Sequence, residues 1–258
     1  MKEFDILHPG PWFGPKTDSM DLIEKRSNED AKTKLLELCS RLKYGDFSAR
    51  SSLEGFILTC SEPAIRRQAI RLYCYIARHE DVDFLGNLLA RGDHDEVFSV
   101  ALYAPHTLSL QIVPYLFALL EEYDGTSIEE TVLTSIGKIL PLKSDSENAD
   151  INELSASFTE FAKKCELKKY YYSGIEAFAG TLTRTLIEAT AIARQKKTSF
   201  PLADIPTLLS MWSGVQCPVF YDDLISDEKF EEVMSFVSQI SSMQWAHGEK
   251  YFYGYRIT

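Results

Sequence analysis

SEPAIRRQAIRLYCYIARHEDVDFLGNLLA, residues Ser61 to Ala90, reads as two short amphipathic helices folded back on each other. Ser61 is a capping residue type, and Pro63 falls in a first turn, where its missing N–H would have no intrahelical partner. Ile65, Ala69, Leu72, Tyr73 and Ile76 recur at spacings of three and four and line one face, with Arg66, Arg67, Arg71 and Arg78 off it. Charges from His79 to Asp83 break the pattern, and Val82, Leu85, Leu88 and Leu89 resume it as a second helix that Gly92 ends. A hairpin of this kind cannot bury its apolar face alone, so stacked neighbours are required.

The neighbours are visible on both sides. A shift of about 31 residues, within the period range of helical repeats, lays FLGNLLA (Phe84–Ala90) on YLFALLE (Tyr115–Glu121). Leu85, Leu88 and Leu89 then fall on Leu116, Leu119 and Leu120. The second hairpin runs from Glu96 to Tyr123, with Pro105 at its turn and Pro114 in the first turn of a helix. The Asp124-Gly125 turn and a capping box from Ser127 to Glu130 start a third unit, striped by Ile128, Val132, Leu133, Ile136 and Ile139. Upstream, Leu35, Leu36, Cys39 and Leu42, then Leu53, Phe56, Ile57 and Cys60, give two more helical stripes. An early proline followed by arginines among aliphatics resembles a HEAT-like repeat over Phe47–Leu140. The expected fold is all-α: a HEAT-like α-solenoid of helical hairpins with additional C-terminal helices.

At the start, HPGPWFGPKT (His8–Thr17) holds three prolines and two glycines around Trp12 and Phe13, and reads as an extended arm. Two readings are open for it, a plug over the open end of the stack or a hook for a partner. KSDSENAD (Lys143–Asp150) is a polar linker. Beyond it one helix carries Leu154, Phe158 and Phe161, and a long helix covers most of Tyr170–Lys197. A third spans Leu202–Trp212, and a fourth, capped by Ser226, carries Phe230, Val233, Phe236, Val237 and Ile240. The tail WAHGEKYFYGYRIT (Trp245–Thr258) is too aromatic to stay undocked. The expected organisation is an N-terminal arm (1–18), helical repeats (19–143) and a C-terminal helical region (144–258) packed on the repeats as one continuous domain.

With 258 residues, 45% of them apolar, the chain can bury a sizeable core. Its 27 basic against 38 acidic residues leave a net charge of −11, which disfavours nucleic acid and anionic membrane and favours basic partners. Cys39, Cys60, Cys74, Cys165 and Cys217 are odd in number with no CxxC pair, and read as reduced thiols. No signal-peptide pattern and no run near ~18 apolar residues is present, so a cytoplasmic location is expected.

Chemistry is hard to find. His8, His79, His94, His106 and His247 are scattered, and Asp93-His94-Asp95 sits at a helix junction where such residues cap. There is no Walker loop, GxGxxG, GxSxG or HExxH. Asp222-Asp223 beside Tyr221 reads as solvated loop acids, and Cys217 lacks a basic neighbour to activate it. Arg66-Arg67-Arg71 lacks interleaved aromatics and reads as repeat-surface charge. The expectation is a protein that is not an enzyme and holds no cofactor or metal. What remains is surface: Glu121, Glu122, Asp124, Glu129 and Glu130 bracket one inter-repeat turn, and Asp145, Glu147, Asp150 and Glu153 follow at the next, on the same edge of a solenoid. They are either ordinary solvated acids or a landing site for a basic partner, which would raise its association rate.

Three further segments carry a second resemblance. The opening GPWFGPKT, SFPLADIPTLLSMWSGVQCPVFYDD (Ser199–Asp223) and the closing YFYGYRI resemble an all-helical group of bacterial polymorphic-toxin immunity proteins, the immunity protein 47 group. The resemblance implies a cytosolic protein that binds a cognate toxin domain, often a basic nuclease, and neutralises it by occlusion. The competing readings are a HEAT-like adaptor or scaffold and a small helical enzyme.

Overall fold

The structure, a computed structural model, describes residues 13–16, 30–141 and 151–258, and these hold eleven α-helices and two β-hairpins. The first seven helices are α1 (Ala31–Lys43), α2 (Ala49–Thr59), α3 (Pro63–Ile76), α4 (Val82–Arg91), α5 (His94–Tyr103), α6 (Val113–Glu122) and α7 (Ser127–Ile139). The starts of α1 and α5 are set by aspartates: the Asp30 carboxylate accepts from Thr33 N at 2.6 Å, and Asp93 exchanges bonds with Glu96 in a capping box. Pro63 and Pro114 do sit in first turns. Two caps differ from expectation by one residue. Glu62 rather than Ser61 precedes α3, with no side-chain cap, because Pro63 already removes one orphan donor. Thr126 rather than Ser127 caps α7, its Oγ1 facing Glu129 N.

Helices α3, α5 and α7 lie side by side, each packed on the next, and α4 and α6 pack together beside them. The 31-residue offset has a physical counterpart there. Tyr115 lies so close over Gly86 that a Cβ at Gly86 would sit 2.3 Å from its ring, and the Tyr115 hydroxyl donates to Asp83 at 2.8 Å. Helices α1 and α2 extend the α3 end of the stack.

After α8 (Ile151–Ala162), the chain departs from the expected long helix. Tyr171–Tyr172 (β1) and Ile175–Glu176 (β2) form an antiparallel hairpin, and only Ala179–Lys196 is helical (α9). The cause is the turn. Ser173 and Gly174 hold φ of 48° and 71°, the pair of left-handed residues a type I′ hairpin requires. Their N–H groups cap the end of α7, donating to Lys138 O (3.1 Å) and Ile139 O (3.0 Å).

The same device recurs at the C-terminus. After α10 (Asp204–Ser213) and α11 (Asp227–Ser241), Tyr251–Phe252 (β3) and Tyr255–Arg256 (β4) form a second hairpin about Tyr253 (φ 51°) and Gly254 (φ 85°). Its turn caps α10, with Tyr253 N donating to Met211 O at 2.8 Å and Gly254 N to Trp212 O at 2.6 Å. The hydroxyls of Tyr171 and Tyr251 each accept from the backbone N–H five residues earlier, of Glu166 and Ala246, both at 2.9 Å. Two helices followed by a capping hairpin is thus a unit used twice, α7–α8–β1β2 and α10–α11–β3β4. One continuous apolar cluster runs through the described residues, from Phe13 to Ile257.

Candidate functional site

The expected acidic edge can be followed in part. Glu121 and Glu122 end α6, Asp124 lies in the turn, and Glu129 and Glu130 open α7. Glu121, Glu122, Asp124 and Glu130 are exposed. Glu129 is half-buried, and its Oε2 accepts from Gly125 N at 2.7 Å, so it also closes the turn. Acids in the first turn of α7 suit its positive end. Asp145, Glu147 and Asp150 lie outside the described residues, and Glu153 is exposed in the first turn of α8.

The groups weighed for chemistry are held by structure. Asp93 caps α5 and pairs with Arg66, which also reaches Glu96 at 3.3 Å; Arg67 faces Asp95 at 3.9 Å. Arg71 points inward, its guanidinium 4.8 Å from the centre of the Phe13 ring. Cys217 is fully buried, and burial pushes its thiol up to about 12, far from a nucleophilic thiolate. Asp223 does not pair with Asp222; its Oδ2 accepts from Phe220 N at 2.9 Å. Among the described residues no three His, Cys, Asp or Glu side chains gather to hold a metal, and no helix is long and apolar enough to cross a membrane.

Several polar groups escaped the sequence reading because helical periodicity places a charge off the apolar stripe without saying what it meets. Arg50 is buried beside Asp81, Nε to Oδ2 at 3.2 Å, and Asp81 also binds Arg78 at 2.9 Å. Burial pushes the Asp81 carboxyl up, but the hydrogen bonds from Arg78, together with the charges of Arg50 and Arg78, hold it below the usual range. These residues, with Asp46, Ser48 and Glu54, line a polar cleft of about 510 Å³. Glu54 is engaged at its wall by the Tyr73 hydroxyl at 2.6 Å.

The two ends of the described chain meet over α1 and α3. Phe13 is 1% exposed, edge-on to Tyr75 with ring centres 6.1 Å apart and 6.4 Å from the Phe252 ring. Lys43 Nζ donates to Phe13 O and, at 3.2 Å, to Pro15 O, while the Tyr253 hydroxyl donates to Gly14 O at 2.6 Å. Phe13 and Gly14 of the arm are therefore buried while Pro15 stays exposed; Trp12 lies outside the described residues. Nearby, Lys250 is 1% exposed and donates from Nζ to Cys74 O (2.8 Å), Ala77 O (2.9 Å) and Thr107 O (3.1 Å). One ammonium from the tail thus caps the end of α3 and of the 3-10 turn Ala104–Thr107.

Among the described residues, buried Arg50, Lys43 and Lys250 join chain segments through ion pairs and hydrogen bonds. The family model for immunity protein 47 matches residues 10–257. No curated protein and no solved structure matches the chain. A match over nearly the whole length, covering arm, helices and closing hairpin alike, means that the chain belongs to the immunity protein 47 family.

Proposed function

We propose that the protein neutralises a cognate toxin domain by binding it and covering its working surface. The observation that carries this is the family match over residues 10–257. The chemistry agrees with it: neutralisation by cover needs affinity and no reacting groups, and the buried acids, thiols and lysines of this chain are engaged in packing and capping. A stable complex of this kind buries about 1,600 Å² in total, which a 258-residue chain can supply on one face.

The side-by-side packing of α3, α5 and α7, with α4 and α6 beside them, supports reading the stack as a short HEAT-like solenoid. The apolar cluster from Phe13 to Ile257 supports one continuous domain of arm, repeats and C-terminal region. In this reading the partner is basic, and the exposed Glu121, Glu122, Asp124 and Glu130 speed its approach, complementing a net charge of −11. The proposed location is the cytoplasm, where a cell would need protection from the toxin it encodes.

Co-expression with the toxin domain encoded by the neighbouring gene is the test. Restored growth of cells producing the toxin, and recovery of both proteins in one complex, are the expected results. Continued growth arrest at matched expression would refute the proposal.

A further inference from the structure

The polar cleft beside α2 holds a basic and an acidic side chain that the fold keeps from meeting. Arg50 and Glu54 stand in its wall one turn apart on α2, with Cβ atoms roughly 5–6 Å apart, a spacing that suits an ion pair. Both are drawn aside instead. Buried Asp81 holds Arg50, Nε to Oδ2 at 3.2 Å, and the hydroxyl of the buried Tyr73 holds Glu54 Oε1 at 2.6 Å. Each is left with open valences. The Arg50–Asp81 contact is within ion-pair range but out of line for a hydrogen bond, so Arg50, only 6% exposed, has no acceptor at Nε or Nη2. Among the described residues no group donates to Glu54 Oε2, and none pairs with its charge.

The other charges of the wall are met within the chain. Arg78 pairs with Asp81 at 2.9 Å and with Glu80 at 2.5 Å, and Asp46 pairs with Arg41 at 2.7 Å. With these partners counted, three cations stand against four acids, and Glu54 is the acid in excess. Two further cations lie near the rim, where the Tyr255 ring packs on Gly45: Lys16 sits 4.4 Å over that ring and Arg256 pairs with Glu249 at 2.8 Å. Neither lines the cleft. Half-buried Phe47 does line it and offers an aliphatic stem a surface to lie on. At about 510 Å³ the cleft falls in the size range of ligand sites, roughly 300–1,000 Å³.

We infer that this cleft is the socket for one lysine or arginine residue of the toxin domain, with its cation on Glu54 and its main-chain carbonyl oxygen accepting from Arg50. The inference rests on the proposed neutralisation of a toxin and names where this chain grips it. The unmet groups dictate the occupant: Glu54 requires a positive charge, and Arg50 requires an acceptor. A carboxylate as that acceptor would leave the excess acid uncompensated, whereas a carbonyl does not. A basic residue within a polypeptide joins a cation to a neutral acceptor at short range. Because Asp81 and Tyr73 already fix the two side chains, little ordering is lost when the socket fills.

The test has two arms, both on the full chain. In the first, Nα-acetyl-arginine methylamide, which carries both groups, is titrated at low salt and followed by NMR. The amide signals of Ser51 and Glu54 should shift and saturate at roughly 1–10 mM, E54Q should weaken the effect about 10-fold or more, and Nα-acetyl-glutamate methylamide should leave the signals in place. No shift with the arginine probe, or an equal shift with the glutamate probe, overturns the socket. In the second arm the toxin domain encoded by the neighbouring gene is bound by wild type, E54Q and S51K. Ser51 is exposed at the cleft, and a lysine there can reach Glu54 across i,i+3 and fill the socket from within. Each variant should bind about 10-fold or more weakly, with the thermal midpoint of S51K no lower than that of wild type. Wild-type affinity in both variants overturns the socket and leaves neutralisation standing. Absence of binding by the wild-type chain overturns the proposed function and the toxin as occupant, while the arginine probe still decides the chemistry of the cleft.

Discussion

Replacing Lys250 with methionine keeps the length and apolar stem of the side chain and removes its three N–H donors. Three carbonyls at the ends of α3 and the 3-10 turn, those of Cys74, Ala77 and Thr107, are then left inside the protein with no donor from this side chain. Each loss of a hydrogen bond to a charged group costs about 1.5–3 kcal/mol, offset by the energy no longer spent on burying an ammonium. A net destabilisation of a few kcal/mol at pH 7 follows, set by buried carbonyl acceptors left unsatisfied at about 1–3 kcal/mol each, less that offset. The pH dependence is the sharper signature. Burial pushes the Lys250 ammonium from its ordinary 10.5 down to about 7. Between those values the unfolded chain binds the proton and the folded chain sheds it, so the Lys250 contribution to stability rises with pH, by at most about 5 kcal/mol, and is flat below 7. The Cys74 and Cys217 thiols, raised to about 12 by burial, act in the opposite sense at high pH. The readout is therefore the difference between wild type and K250M in urea unfolding at pH 6.5, 8 and 9.5. That difference should grow with pH, and a constant or shrinking gap would refute the assignment.

Other consequences are as direct. G174A should cost several times more than G254A: both glycines have positive φ, but a Cβ at Gly174 would lie 2.3 Å from Pro141, whereas Gly254 faces open space and costs about 1 kcal/mol. Chemical denaturation of the two variants decides this, and equal losses would contradict it. F13A should lower stability by about 3–5 kcal/mol and expose residues 13–16 to limited proteolysis, since Phe13 is buried against Tyr75, Phe252 and Arg71. A protease pattern like the wild type's would show that the arm is not held by this ring. Reversing charge at Glu121, Glu122 and Glu130 should slow association with the toxin domain at low salt and leave the melting temperature in place, while reversal at Glu129 should also loosen the turn it closes at Gly125. Association rates unchanged at low salt would remove this edge from the binding surface.

Much of the helical part was legible because periodicity and proline placement are local. Pro63 and Pro114 fall in the first turns of two helices as expected, and FLGNLLA and YLFALLE, alike in sequence, fall on the two helices where Tyr115 packs over Gly86. The hairpins were not legible. Strands two residues long have too short a pattern to set against a helix, and the left-handed turns begin with serine and tyrosine rather than glycine. The long helix expected over most of Tyr170–Lys197 would include Ile175, yet Ile175 is 58% exposed on β2, and Phe178 precedes α9 stacked on His247. The roles of Lys43 and Lys250 were hidden for a related reason. A lysine in sequence reads as surface charge, and only the fold brings unpaired carbonyls to it. The acidic edge was readable as composition, but its half from Asp145 to Asp150 lies outside the described residues.

Titration of purified toxin domain with this protein, following toxin activity and complex formation together, tests neutralisation by cover most directly. Activity should fall in step with a one-to-one complex, stop falling at equivalence, and return in full when the toxin is recovered unmodified from the complex. Inactivation by far less than an equivalent of the protein, or toxin that stays inactive or altered in mass after separation, would mean chemistry rather than cover and would contradict the account.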